Sequence, residues 1–107
     1  MSSYYCTVFY TTVSDLGQAQ DLSQKILTSK SAACVNIFEK MHSFYLWEQE
    51  IQQASEVSLL IKTSNIQADR LQAFLLQHHP YQVPALLRWD AQTTDAFKAY
   101  LDGELIK

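Results

Sequence analysis

AACVNIFEKMHSFYLWEQEIQQASEVSLLIK, residues 32 to 62, decides the fold. Residues 33–47 and 51–63 are two β-rich runs around the polar tip Glu48-Gln49-Glu50. The first run is about 15 residues long, against a usual strand of about 5–6. One small sheet does not pair a hairpin of that length, so part of it is expected to pair outside its own domain. Glu39-Lys40 interrupts the apolar run and marks a bend or bulge. In the second run Val57, Leu59 and Ile61 alternate with Glu56, Ser58 and Lys62, giving one core face and one wetter face. Leu60 is apolar on the wetter face, so something is expected to cover it.

The flanking chain completes the pattern. Residues 4–12, YYCTVFYTT, are aromatic and β-branched and read as a buried inner strand. Ser14 is placed to cap a helix, with Asp15 near the positive end of its dipole. Leu16, Ala19, Leu22, Ile26 and Leu27 follow at helical spacing, to about Ser29. After the hairpin, Ser64 or Asn65 caps a second helix with Ala68, Leu71, Phe74, Leu75 and His78 inward. Pro80 ends it, because the residue before a proline is pushed out of helical geometry. Residues 83–89 read as a short strand that starts at Pro84 or lies at an edge. Thr93 or Thr94 caps a last helix with Ala96, Phe97, Tyr100, Leu101 and Leu105 on one face. The order β-α-β-β-α-β plus a C-terminal helix is the α+β, ferredoxin-like arrangement: an antiparallel sheet with two helices on one face. The other face needs cover, which a partner subunit would supply.

Bulk properties narrow the function. The chain has 107 residues and reads as one domain over 1–107. Its net charge is −3 with no basic cluster, which argues against nucleic acid or an anionic membrane as partner. The sequence shows no export signature or membrane span, so a cytoplasmic location is expected. Cys6 and Cys34 form no CxxC pair; two buried free thiols are expected, with a disulfide or metal thiolate as the alternatives. No GxSxG, HExxH or phosphate-cradling glycine loop is present, so a non-enzymatic protein is expected.

Four blocks, Ala32-Ala33-Cys34-Val35-Asn36-Ile37, Ser43-Phe44-Tyr45-Leu46-Trp47-Glu48, Leu60-Ile61-Lys62-Thr63 and His78-His79-Pro80-Tyr81-Gln82-Val83-Pro84, resemble in order and spacing the divalent-cation tolerance (CutA) family. The resemblance runs from about Val8 to Tyr100. It implies a compact homotrimer, similar in architecture to the PII signalling proteins, in which the long hairpin pairs with neighbouring subunits. It also implies a role in divalent-metal tolerance, with copper (Cu2+) as the proposed ion and His78 and His79 as ligands. Two positions depart from the family pattern. A first-strand cysteine falls at about Tyr10, and a glutamate after the second proline is here Ala85.

Two candidate sites follow. Imidazole suits copper, so His78 and His79 are metal candidates, with His42 as a third if assembly brings it near. Against this, adjacent helical residues point about 100° apart, and packing at the helix end is the alternative role. Tyr45, Trp47, Glu48, Lys62 and Tyr81 form the second set, a ligand cleft or trimer interface. A lysine with a carboxylate and aromatic walls would hold a small anionic or polar ligand, as in a PII-like small-molecule sensor. The alternative is interface packing with an ordinary Lys62–Glu48 ion pair. An RNA-binding module on the same fold is disfavoured by the charge and by the lack of an aromatic signature on the third strand.

Overall fold

A computed structural model describes residues 4–105. It contains β1 (Tyr5–Val13), α1 (Leu16–Thr28), β2 (Cys34–Trp47), β3 (Glu50–Thr63), a 3-10 turn (Asn65–Gln67), α2 (Ala68–His78), β4 (Leu86–Gln92) and α3 (Asp95–Leu105). The strands form one antiparallel sheet in the order β2-β3-β1-β4. This is the expected α+β, ferredoxin-like topology.

Strand β1 is one of two inner strands, and its buried residues explain its position. Phe9 and Val13 on one face are fully buried, packed with Leu59, Ile61, Leu22, Ile26, Leu71 and Leu75 under α1 and α2. Helix α1 is capped by Asp15 rather than Ser14. The Asp15 carboxylate accepts the Gln18 N–H at 2.8 Å from an extended backbone. That leaves the Ser14 hydroxyl free for another partner. Leu27, expected inward, is exposed: Ile26 takes the sheet side, and neighbours 100° apart cannot both face it. Ser64 stands at the helix-entry position, but its buried hydroxyl caps nothing, because the chain first makes a 3-10 turn. Asn65 turns its amide to Thr7 and Asp90.

Helix α3 lies on the opposite face of the sheet. Phe97 and Leu101 pack with Cys6, Val8 and Leu60, so α3 is the cover that Leu60 called for. Thr94 caps it, accepting the Phe97 N–H at 3.2 Å. Ala96 and Tyr100, expected on the buried stripe, are exposed; the Tyr100 hydroxyl reaches the Ala33 carbonyl. Strand β4 starts at Leu86 rather than Val83, and it is an edge strand, where Pro84 just before it costs no ladder bond. Both cysteines are free thiols; Cys6 is buried and Cys34 half-buried.

The hairpin outruns the sheet. Strand β1 pairs β3 only from Val57 to Thr63. From Met41↔Glu56 to Trp47↔Glu50, β2 and β3 pair only with each other. The register shifts between Phe38 and Met41, and Lys40 has φ 60°, which places the bulge at the expected Glu39-Lys40. The tip is a two-residue turn, Glu48-Gln49, with Glu50 already in β3. Both tip residues have positive φ, 50° and 69°, the geometry that two-residue hairpin turns require and usually fill with Asn-Gly. No helix among the described residues is long and apolar enough to cross a membrane.

Candidate functional site

The bulge determines which side chains share the outer ribbon's faces. Past it, Met41, Ser43, Tyr45 and Trp47 stand opposite Glu56, Ala54, Gln52 and Glu50. By register these continue the sheet face that carries Tyr10 and Thr12. Apart from Glu50, these residues line a groove of about 870 Å³ together with the loop that carries Tyr81, Gln82, Val83 and Ala85. Aromatic rings form much of its wall: Tyr10, Phe44, Tyr45, Trp47 and Tyr81.

Glu56 is the one ionisable carboxyl in the groove. The Tyr81 hydroxyl donates to it at 2.7 Å, and the Ser14 hydroxyl donates to Tyr81 Oη at 3.1 Å. Burial alone would raise the Glu56 pKa; hydroxyls of Ser43, Tyr81 and Thr12 and the nearby His79 outweigh it and hold the carboxyl below its ordinary value. Burial pushes the Tyr81 phenol up, and the Glu56 charge adds to the effect.

His79 stands behind this wall. The chain leaves the helix at His78, and His79 is extended (φ −66°, ψ 137°), as Pro80 requires. The Tyr81 backbone N–H donates to His79 Nδ1 at 3.0 Å. Nε2 therefore carries the proton in the neutral ring and donates to Thr11 Oγ1 at 2.9 Å, an assignment made from the hydrogen-bond network. The Thr11 hydroxyl in turn donates to the Ala85 carbonyl at 2.7 Å. The relay ties β1 to the start of the loop and to its end. Burial lowers the His79 pKa, against the opposite pull of the Thr12 backbone and the Glu56 charge.

His78 and His79 diverge. The exposed His78 ring lies 4.2 Å, centroid to centroid, from Phe74, while both ring nitrogens of His79 are engaged. A metal on His79 would have to displace the Tyr81 N–H from the only lone pair. His42 pairs with Ser55, on the ribbon face away from the groove. Among the described residues no group of three or more His, Cys, Asp or Glu could hold a metal ion. Within one chain, then, the histidine pair fits a resident metal poorly. Tyr10 points its hydroxyl to Met41 Sδ at 3.4 Å.

The aromatic constellation divides as well. Tyr45, Trp47 and Tyr81 line the groove. Glu48 is exposed at the tip, and Lys62 sits at the other end of β3, its Nζ 5.9 Å from the Phe97 ring of α3. At about 3.3 Å per residue, Glu48 and Lys62 of one chain stand roughly 40 Å apart, so the expected ion pair does not form within the subunit. Glu56 and Ser14, which do build the site, look in sequence like an ordinary wet-face carboxylate and a helix cap. The one available cue was that Glu56 sits on the wetter face of a half-buried strand.

Acid and base should both destabilise the fold. His79 and Glu56 have pKa values lowered from their ordinary 6.5 and 4.5, so the unfolded chain binds more protons. Their contribution is present above those ordinary values and is lost as pH falls through the folded ones. Cys6 and Tyr81 are raised from 9.0 and 10.0, Cys6 chiefly by burial; their contribution holds below those values and is lost as pH rises through the folded ones. The melting temperature should therefore plateau between about pH 7 and 8.5. His79→Gln should remove the fall that begins near pH 6.5; an unchanged acid limb would separate His79 from it.

Known proteins match the chain over most of its length. The family model described as CutA1 divalent ion tolerance protein matches residues 7–104. The divalent-cation tolerance proteins CutA of Yersinia pestis and Yersinia pseudotuberculosis are each 40% identical over 96 residues, covering 89% of this chain and 81% of theirs. Among solved structures, the divalent ion tolerance protein CutA1 from Ehrlichia chaffeensis superposes with a TM-score of 0.92 at 29% identity, covering 99% of this chain and 100% of that one. CutA from Synechococcus elongatus superposes with a TM-score of 0.91 at 31% identity, covering 98% and 94%. Fold, strand order and sequence agree: this chain belongs to the CutA1 divalent ion tolerance family.

Proposed function

We propose that the protein acts as a non-enzymatic, homotrimeric divalent-ion tolerance protein, with copper as the ion. One observation carries the assembly: beyond Val57 the hairpin is a two-stranded ribbon with both edges open. Such a ribbon is at best marginally stable alone in water. It also exposes Phe44, Leu46, Trp47 and Ile51. Pairing with the ribbon or sheet edge of a neighbouring copy satisfies the backbone and covers those side chains.

Copper would meet this chain at the exposed His78 imidazole, with further donors from a neighbouring copy; His79 is structural. Copper titration of wild type, His78→Ala and His79→Ala tests this, with mass by light scattering in the same samples. His78→Ala should bind copper at least about tenfold more weakly, while His79→Ala should lose melting temperature rather than affinity. Undiminished affinity in His78→Ala would remove it as a ligand. A monomeric wild type at micromolar concentration would overturn the assembly.

A second reading is a small-molecule sensor. The groove favours it: about 870 Å³ is within the usual range for ligand sites, and its polar groups converge on Glu56 and Tyr81.

A further inference from the structure

We draw no further inference here: the strongest candidate, the open edge of β4 flanked by the exposed side chains of Leu87 and Trp89, belongs to the contact between copies already proposed, and nothing in the structure shows another partner that covers it.

Discussion

Trp47→Arg runs as a monomer at micromolar concentration, with the far-UV circular dichroism of the wild type; that is the result expected of the largest assembly defect a single change can make here. Trp47 closes the last rung of the ribbon against Glu50 and is 55% exposed within one subunit. The monomer core, centred on Phe9 and Leu59, does not use it. At 55% exposure, cover by a neighbour removes up to about 80–140 Å² of this side chain from water, roughly 2–3.5 kcal/mol at 25 cal/mol per Å². In the proposed trimer, arginine forfeits that burial and places three copies of an unpaired charge in the contact. Sedimentation or light scattering reads the loss directly. An unaltered trimer would mean that the hairpin tip lies in solvent and that the open ribbon is stabilised by something other than neighbouring copies.

Phe9→Ala should destabilise the subunit itself by about 3–5 kcal/mol, the usual cost of emptying a buried aromatic site. Phe9 is fully buried in β1, between Ile61 on β3 and Arg88 on β4, and the Arg88 guanidinium lies 5.5 Å from its ring. The position has little freedom to collapse, because strands pair on both sides and α1 and α2 close the face above. For a domain near 100 residues this corresponds to a melting temperature lower by about 15–30 °C, compared at equal protein concentration because assembly adds stability. A loss under about 1 kcal/mol would show that the core repacks around the gap. The two variants separate the proposed assembly from folding: Trp47→Arg should disrupt the trimer and keep the subunit, whereas Phe9→Ala should weaken both.

Much of the fold could be read along the chain. The long hairpin, the bulge at Glu39-Lys40, the helix end before Pro80 and the edge position of the last strand all follow from local chemistry: alternation of apolar residues, interruption by charge, and the missing N–H of proline. The errors were also local in kind. Leu27, Ala96 and Tyr100 were placed inward by spacing alone, while the actual helix orientation exposes them. Asp15 rather than Ser14 caps α1 because either side chain suits the role and only the backbone path chooses.

The site was less legible. Its apolar members, Tyr45, Trp47 and Tyr81, stand out in the sequence as aromatics with no obvious place in a monomer core. Glu56 and Lys62 lie on the same face of the same strand, and nothing local says that one enters the groove while the other is covered by α3. The sequence by itself determined the elements, their order and the overlong hairpin, because periodicity and length are properties of neighbouring residues. Only the tertiary structure decided that Tyr81 meets Glu56 and that His79 is spent on Thr11 and the Tyr81 N–H rather than left for a metal. The contacts with Glu56 and Thr11 join residues far apart in the chain, and they depend on strand register and on where a loop crosses a sheet edge.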